Sequence, residues 1–498
     1  MPELHGDRSG PQRYALEDVG NFTRDTETTL VELRNPDPDG DGIAYNGKPV
    51  LSPEEAAQQL TRTGAQWPIT GNGVITYTFA EKAPGGQYNS PKTGLGATVD
   101  GFAPFTEEQR ETTRDVIGLW DDVLAIGFVE KNGKGADIVY LNTNTGPGQA
   151  GAYTPFYGGE KGRFAKIQGD TFINQDQPSN FDLGFEGYGY TTLVHETGHA
   201  IGLQHPSNYN AGNGGPISYG ADAEYFQDSY QFSVMSYFHA GNTGARGFVN
   251  WARGGFFQTP QTPMVHDILA AQSLYGADTT TRTGDTTYGF NSTAGRAVFD
   301  FTVNENPFLT IWDAGGHDTL DLSGFYGNVT LDLREGEFSS GYAQPDYDTL
   351  NATLFQASNA FWDALYAGQL GSNPGFLSDN IAIAYGVVIE DGATGNGNDR
   401  LIGNDVANML DGGAGSDTYT GGAGADTFVV AEAGWFEYIT DFVSGEDTLD
   451  LSAFGVDESA VAIFGNQVFV DVNGDGGADL AVVLTDGASI TLDDMVFG

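Results

Sequence analysis

The sequence predicts an α/β domain followed by an all-β half that contains a parallel β-roll. Residues 46 to 260 alternate strand-like and helix-like patterns, and one predicted helix in this part carries two histidines. Residues 261 to 498 contain short β-type runs separated by Gly, Asp and Asn. Within this second part a nine-residue unit occurs four times in succession, which is typical of a β-roll. Residues 1 to 45 are polar and predict a flexible N-terminal segment.

Local signals place five elements before the helix with the histidines. Ser52 and Pro53 are typical of a helix start, and Thr106 with Gln109 predicts a capping box at a second one. Strands are predicted where apolar and polar residues alternate. The predicted elements are the helix Pro53 to Thr63, the strand Gly73 to Phe79, a helix that begins after Thr106, the strand Ala136 to Leu141 and the edge strand Ala150 to Thr154. An edge strand beside a metal cleft could pair with an extended peptide, and an ordinary sheet edge is the alternative.

One short stretch holds three of the seven histidines within eleven positions. If Thr191 to Ile201 is helical, His195 and His199 lie one turn apart on the same face and can bind one metal ion. Gly202 can end this helix and turn the chain, so that His205 supplies a third nitrogen ligand. Three imidazoles leave one position open for water, as in catalytic zinc sites, and the chain has no cysteine for a closed structural site. We therefore expect one catalytic zinc ion.

The residues around this stretch resemble a known family. Glu196 follows the first histidine and is expected beside the ion without ligating it. About thirty residues after His205, Met235 would by itself be an ordinary core residue. After such a helix, Ser233 to Tyr237 resembles the methionine turn of the metzincin metalloproteases. Within that clan, Pro206 after the third histidine and Tyr237 after Met235 are similar to the serralysin family.

The resemblance implies a fold, an activity and partners. The implied fold is a metzincin catalytic domain with a twisted, mostly parallel sheet and a zinc helix. The implied protein is a secreted zinc endopeptidase with Glu196 as general base, and Tyr237 is placed as a ligand of resting zinc that later stabilises the oxyanion. Residues 1 to 45 stand where the family carries its propeptide. Protein or peptide substrates and a proteinaceous inhibitor are the expected partners of a monomer.

Charge and hydropathy exclude other classes. The formal net charge is −46, and after residue 300 we count 32 acidic residues against two basic ones. Such a surface repels nucleic acid and anionic lipid and attracts cations. The sequence contains no run of 18 apolar residues, so it predicts no membrane-spanning helix. The first residues contain no apolar core of a cleaved secretory signal, so we expect another export route.

The nine-residue period runs from residue 394 to residue 429. Glycines in each turn allow carbonyl oxygens to point at a cation, and an acidic side chain at the sixth position adds charge for calcium. The side chain at the eighth position is expected to point inward and stack on its neighbours. A disordered Gly/Asp linker is the alternative, and four turns in register favour the roll. In the second turn Asn404 and Val406 replace glycines, which makes calcium binding there doubtful.

This part of the sequence resembles the repeats-in-toxin domain of serralysins, and the resemblance implies a complete set of calcium ligands. An entry cluster would be formed by Arg282, Gly284, Thr286, Asp313, Gly315, Gly316, Asp318 and Glu390. The repeat would add Gly395, Gly397, Asp399, Asn408, Gly413, Gly415, Asp417, Gly422, Gly424 and Asp426. The segments His317 to Phe325 and Glu446 to Phe454 repeat each other, which also favours a repeated β unit. The segment from residue 342 to residue 376 is longer than the connection expected from the family, and it predicts a helical insert.

The C-terminal tail predicts a route of export, and the complete set of histidines with Glu196 predicts an active enzyme. Leu492 to Gly498 resembles the uncleaved signal of type I secretion systems, which would make that machinery a partner and the protein extracellular. We expect several structural calcium ions to fold the C-terminal half, because its charges repel one another without them. A catalytically silent calcium-binding surface-layer or structural protein is the alternative function. Glu196 and all three histidines are present, which favours the enzyme.

Overall fold

The computed structural model describes residues 36–37, 40–44, 46–69, 73–83, 101–144, 152–154, 167–210, 217–249, 256–325, 327–343, 377–434 and 436–498. The chain divides into two compact units, of which the first comprises residues 1–281 and 308–312 and the second comprises residues 282–307 and 313–498. The predicted N-terminal segment up to residue 35 and the predicted insert from residue 344 to residue 376 lie outside the described residues. The predicted functional domains, 1–45, 46–260 and 261–498, stay predictions.

The first unit is a mixed α/β structure. Its helices are α1 (Pro53–Leu60), α2 (Glu107–Asp121), α3 (Tyr188–Ala200), α4 (Tyr219–Asp222) and α5 (Val265–Tyr275). Its strands are β1 (Val74–Phe79), β2 (Gly127–Glu130), β3 (Ile138–Thr143), β4 (Ala152–Tyr153), β5 (Thr171–Asn174), β6 (Arg246–Val249), β7 (Phe256–Phe257) and β9 (Leu309–Ile311). Short 3-10 helices lie at Pro178–Phe181 and Ala240–Asn242.

A five-stranded sheet in the order β2-β1-β3-β5-β4 forms the frame of the first unit. The first four strands are parallel, whereas β4 runs antiparallel to β5 at the edge, so the predicted edge strand is confirmed. The predicted N-cap at Ser52 and the predicted capping box at Thr106 are also confirmed, and Ser52 forms a capping box as well. Helix α2 buries Val116, Ile117 and Trp120, as its apolar face predicts. The indole of Trp120 donates a hydrogen bond to the carbonyl of Val194 at 3.3 Å, which joins α2 to α3.

The second unit consists of short strands. They are β8 (Thr287–Gly289), β10 (Thr319–Asp321), β11 (Thr330–Asp332), β12 (Phe338–Ser339), β13 (Leu377–Ser378), β14 (Ile381–Ile383), β15 (Asp391–Ala393), β16 (Arg400–Ile402), β17 (Met409–Asp411), β18 (Thr418–Thr420), β19 (Thr427–Val429), β20 (Phe436–Ile439), β21 (Thr448–Asp450), β22 (Val461–Phe464), β23 (Gln467–Val470), β24 (Leu480–Leu484) and β25 (Met495–Val496). Its 3-10 helices are Ala297–Phe299, Ser452–Phe454, Glu458–Ala460 and Leu492–Asp494.

Two seven-stranded sheets contain most of these strands, in the orders β25-β21-β19-β17-β15-β10-β8 and β11-β16-β18-β20-β24-β23-β22. Successive strands from β15 to β21 alternate between the sheets and pair in parallel, and we call residues 391–450 the parallel coil. The eighth position of each nine-residue unit is buried, at Leu401, Leu410, Tyr419 and Phe428. The predicted inward stacking is therefore confirmed.

The ends of the second unit complete these sheets. Strands β22, β23 and β24 are antiparallel neighbours, and β25 near the C-terminus pairs in parallel with β21. The duplicated segments place β10 and β21 in the same sheet. None of the described helices is long and apolar enough to cross a membrane.

Candidate metal centre

Helix α3 carries the first two histidines and ends where the sequence predicts. It begins at Tyr188, three residues before the predicted start, and Ile201 is its C-terminal cap. Gly202 has a φ of 114°, which favours glycine. A Cβ at this position would lie 2.2 Å from the carbonyl oxygen of Ala65, so that close approach also requires glycine. The turn at Gly202 brings His205 back to the helix.

The three histidines converge, as predicted. Their candidate ligand atoms, one from each of His195, His199 and His205, all lie within 4.8 Å of one another. Each Nδ1 faces a backbone carbonyl oxygen at 2.8 or 2.9 Å, and these oxygens belong to Val234, Leu203 and Tyr209 respectively. Because a carbonyl can only accept, the hydrogen of each neutral imidazole lies on Nδ1, and Nε2 carries the lone pair that can bind a metal.

The close contact between the rings of His199 and His205 is one that a bound cation would stabilise. Their Nε2 atoms are 3.1 Å apart. Both atoms carry a lone pair in these tautomers, so the contact is repulsive unless a positive charge lies nearby. Burial lowers the pKa of His195 to about 4 and that of His205 to about 3, and it lowers the pKa of His199 well below its ordinary value. Neutral imidazoles at neutral pH are the form that binds zinc.

Glu196 lies next to His195 in α3 and is buried. Burial raises the pKa of its carboxyl to about 7, and a hydrogen bond with the side chain of Thr154 lowers it. Its Oε2 atom is buried and has no hydrogen-bond partner among the described residues. A buried carboxyl oxygen without a donor can accept a proton or a hydrogen bond from a water molecule.

The segment after the histidines supports the centre from two sides. Met235 is fully buried, and a Cβ on Gly198 would lie 2.5 Å from its Sδ, so the methionine packs directly against α3. The ring of Tyr237 lies 4.4 Å from the His205 ring and 5.9 Å from the His195 ring, measured between centroids. The structure thus brings Tyr237 to the predicted site.

Polar residues that the sequence did not single out hold this segment. The carboxylate of Asp267 accepts hydrogen bonds from the Ser233 hydroxyl (2.6 Å), the Val234 amide (2.6 Å) and the Met264 amide (2.9 Å). Because the carbonyl of Val234 in turn orients His195, Asp267 links the N-terminus of α5 to the first histidine. No local motif marks its link to the histidines, since Ser233 and Val234 lie 34 and 33 positions away.

Comparison with known proteins identifies the family. The model described as peptidase M10 serralysin C terminal matches residues 277–343 and 346–492. A metallopeptidase AprA of Pseudomonas marginalis is 35% identical over 461 residues, which cover 86% of this chain and 83% of the relative. This chain belongs to the serralysin family. A metalloprotease AprA of Pseudomonas entomophila (strain L48) is 37% identical over 380 residues, covering 75% and 68%, and a serralysin of Photorhabdus luminescens is 35% identical over 433 residues, covering 82% and 77%.

The predicted entry cluster of this serralysin-family chain is assembled in the second unit. Oδ1 of Asp318 accepts the amide of Thr286 at 2.8 Å, and Oε2 of Glu390 accepts the amide of Asp318 at 2.8 Å. Asp313 accepts hydrogen bonds from the Gly315 amide at 2.7 Å and from the hydroxyl of Tyr288 at 2.6 Å. Gly284 and Gly316, which were also predicted, lie next to each other. A Cβ on Gly316 would be 2.7 Å from the carbonyl oxygen of Gly284. The guanidinium of Arg282 donates to Tyr288.

Acidic side chains of the serralysin-family coil form a ladder along each sheet. One oxygen of each carboxylate accepts the backbone amide of the equivalent residue in the preceding turn on that sheet, so Asp417 accepts from Asp399 at 2.7 Å and Asp426 from Asn408 at 2.9 Å. Glu437 and Asp447 continue the two columns, accepting from Asp417 at 2.9 Å and from Asp426 at 3.0 Å. Glu437 and Asp447 were not among the predicted calcium ligands.

Several buried carboxylates of the second unit have a second oxygen with no hydrogen-bond partner among the described residues. Oδ2 of Asp318, Asp399 and Asp417 is buried without a hydrogen-bond partner among the described residues. Burial raises the pKa of Asp318 to about 7, that of Asp399 to about 6 and that of Asp417 to about 8. Buried oxygens of this kind suit a hard cation such as calcium, and calcium binding at these residues stays a prediction.

The turn glycines of the coil stack closely on the preceding turns. A Cβ on Gly415 would lie 1.5 Å from the carbonyl oxygen of Gly397, and one on Gly413 would lie 2.4 Å from that of Gly395. The remaining predicted turn glycines, Gly422 and Gly424, approach the backbone of the second turn in the same way. The glycines therefore allow the close backbone approach on which the pitch of the coil depends.

Proposed function

We propose that this serralysin-family metallopeptidase is a secreted zinc endopeptidase that hydrolyses peptide bonds in proteins. The observation that carries the proposal is the convergence of three neutral imidazoles, each oriented by a carbonyl, beside a buried glutamate. His195, His199 and His205 would hold one zinc ion, with Tyr237 as an additional ligand in the resting enzyme. When bound there, zinc would lower the pKa of a water molecule and polarise the scissile carbonyl.

The protein's own residues would move the protons. Glu196 would accept a proton from the attacking water and then donate it to the leaving amine, a task that suits a carboxyl with a pKa near neutrality. Tyr237 would donate its hydroxyl hydrogen to the oxygen that becomes negatively charged in the transition state. Strand β4 lies at the edge of the described five-stranded sheet, and an extended substrate could pair with it.

The second part of the proposal concerns calcium and export. Residues 46–260 would form the catalytic domain, and residues 261–498 would form a repeats-in-toxin β-roll that several calcium ions fold outside the cell. Its buried carboxylate oxygens without partners support this assignment. The C-terminal tail would be recognised by type I secretion machinery, and residues 1–45 would act as a propeptide.

Replacement of Glu196 tests the catalytic assignment. Glu196→Gln should retain one zinc ion per chain and lose casein cleavage by roughly three orders of magnitude or more, because the remaining centre can bind but not transfer protons. Glu111→Gln on the exposed face of α2 is the matched control and should behave like the wild type. Zinc content is measured by atomic absorption and turnover by peptide release. Cleavage within about tenfold of the wild type by Glu196→Gln, with zinc bound, would show that another group is the base.

A further inference from the structure

A buried carboxylate lies behind the third histidine and takes no part in the proposed chemistry. Asp228 is fully buried. Its Oδ1 atom accepts hydrogen bonds from the hydroxyls of Tyr209 and Ser236, both at 2.8 Å, and its Oδ2 atom accepts one from the hydroxyl of Ser207 at 2.5 Å. All three donors are buried as well. A buried carboxylate with three donors is a rigid anchor, because removing it leaves those donors unsatisfied.

One of these donors contacts His205 in two ways. The carbonyl of Tyr209 accepts the Nδ1 hydrogen of His205 at 2.9 Å. The two rings also stack, with centroids 5.3 Å apart and planes 14° apart. The Tyr209 hydroxyl additionally accepts the backbone amide of Tyr237 at 3.3 Å. A single side chain held by Asp228 therefore touches the third histidine and the tyrosine beside it.

The third histidine needs such support more than the first two. His195 and His199 are fixed by helix α3, whereas His205 lies on a loop. Arg62 holds the other side of this loop, donating to the carbonyl of His205 at 2.5 Å and to that of Ser207 at 3.2 Å. The loop is thus fixed by side chains from elsewhere in the first unit.

We propose that Asp228 is a positioning residue for the zinc centre, and this inference rests on the proposed function of the three histidines. Asp228 holds Tyr209, whose carbonyl sets the tautomer of His205 and whose ring stacks on it. It also holds Ser207, which lies two residues after His205 on the same loop. Residues that hold a metal ligand without binding the metal themselves typically contribute tenfold to a hundredfold to metal affinity. Loss of the carboxylate should therefore weaken zinc binding in a chain that still folds.

The test compares two substitutions of Asp228 in the full chain with calcium present. Asp228→Ala should weaken zinc binding by about tenfold to a hundredfold, measured by competition with a chelator of known affinity. Asp228→Asn should bind zinc within about threefold of the wild type, because its amide oxygen still accepts and its amide nitrogen can donate to the Ser207 hydroxyl. The control is Asp137→Ala, which removes hydrogen bonds to the Thr76 amide and hydroxyl between β1 and β3. This control should lower thermal stability and leave zinc affinity unchanged.

Equal zinc affinity in Asp228→Ala and the wild type would overturn the proposal, as would equal losses in the Ala and Asn variants. If Asp228→Ala does not fold, Tyr209→Phe removes only the hydroxyl and should weaken zinc binding several-fold; unchanged affinity in that variant would also overturn it. A wild-type chain that binds zinc but cleaves no protein would refute the proposed function and leave this measurement intact.

A second inference concerns the turn in which asparagines replace the usual residues. Oδ1 of Asn408 accepts the backbone amide of Asn404 at 2.8 Å, and its Nδ2 donates to the carbonyl of Glu390 at 2.9 Å. Nδ2 of Asn404 donates to the carbonyls of Ile389 at 2.8 Å and Leu333 at 3.2 Å. Each amide orientation follows from its partners, since a backbone amide needs an acceptor and a carbonyl needs a donor.

This turn contrasts with the aspartate turns of the same coil. At Asp399 and Asp417 no described residue contacts the buried second carboxylate oxygen as a hydrogen-bond donor, so each residue needs a cation there. At Asn408 the corresponding position is an amide nitrogen that already donates to a carbonyl and, at 3.1 Å, to Oδ1 of Asn404. The side chains at Asn404 and Asn408 do not fit a calcium ion, because N–H groups point where carboxylate oxygens would bind it.

We infer that the second turn closes without calcium and that the two asparagine amides replace the cation. Atomic emission after equilibrium dialysis at saturating calcium counts the ions bound by the full chain. Asn408→Ala should bind as many calcium ions as the wild type, whereas Asp417→Asn should bind at least one fewer. A calcium count that falls in Asn408→Ala would overturn this inference. A count that stays constant in Asp417→Asn would contradict the proposed calcium site instead.

Discussion

The histidine centre of the first unit and the parallel coil of the second unit satisfy their polar atoms in different ways. In the histidine centre every imidazole Nδ1 has a carbonyl partner, and buried carboxylates hold two of the segments that supply these carbonyls, at Val234 and at Tyr209. In the parallel coil the carboxylates hold the backbone with one oxygen, and at Asp399 and Asp417 the other oxygen is buried with no partner in the described part of the chain. Hydrogen bonds thus orient the metal ligands of the first arrangement before any ion binds, whereas the buried carboxylate oxygens of the second need a positive charge.

This difference predicts two relationships between metal and folding. A site whose ligands are already oriented should keep its shape when the metal is removed. A region that buries unpaired carboxylates should fold only when cations compensate them, because an isolated buried charge is strongly unfavourable. We therefore expect zinc to bind a preformed centre and calcium to fold the coil.

The largest expected effect is on backbone packing in the coil. Gly415→Ala should abolish its folding even in saturating calcium, at a cost of roughly 4 kcal/mol or more, because the Cβ would lie 1.5 Å from a carbonyl oxygen at a φ of 139°. Gly198→Ala in the histidine helix should cost about 1 to 3 kcal/mol, because its Cβ meets the flexible thioether of Met235 at 2.5 Å. Urea unfolding followed by circular dichroism measures both. Similar losses in the two variants would remove this contrast between the regions.

A smaller effect is expected when one ladder carboxylate is neutralised. Asp417→Asn should reduce the dependence of coil stability on calcium by about 1.4 kcal/mol per tenfold change in concentration, since that is the contribution of one bound ion. The matched substitution Asn408→Ala should leave the slope unchanged, because its turn needs no ion. Urea midpoints at a series of free calcium concentrations give the slope. An unchanged slope for Asp417→Asn would mean that its free oxygen binds no calcium.

The smallest expected effect is a pH dependence of the calcium-free coil. Burial raises the pKa of Asp399 to about 6, of Glu437 to about 7 and of Asp417 to about 8, above the ordinary values of these groups in an unfolded chain. The folded coil therefore binds more protons than the unfolded chain between about pH 4 and pH 8, and its stability falls as pH rises through this window. In a calcium chelator, circular dichroism should show more β-structure at pH 5 than at pH 8. The opposite trend would show that these carboxylates have partners.

The sequence predicted the parts of both regions that local spacing determines. His195 and His199 are four residues apart, and Gly202 marks the end of their helix, so the centre follows from helix geometry. Asp228 and Asp267 could not be predicted, because their partners are brought close only by the folded chain. Side chains that hold a site from distant positions leave no local pattern.

The coil shows the same limit. Its nine-residue period predicted the buried side chains, because equivalent residues on one sheet are 18 positions apart. After the fourth turn the spacing becomes 20 residues to Glu437 and 21 residues to Asp447, so the period no longer indicates them. The antiparallel strands β22 to β24 were not predicted either, since they lie beyond the repeat.

Hydrogen exchange of the full chain, followed by mass spectrometry with and without each metal, tests the central claim most directly. Removing calcium should expose the backbone amides of β15 to β21 to rapid exchange, and restoring it should protect them again. Removing zinc while calcium is present should leave the amides of α3 protected, since hydrogen bonds and packing already hold that helix. A coil that stays protected without calcium, or a helix α3 that loses protection without zinc, would contradict the account.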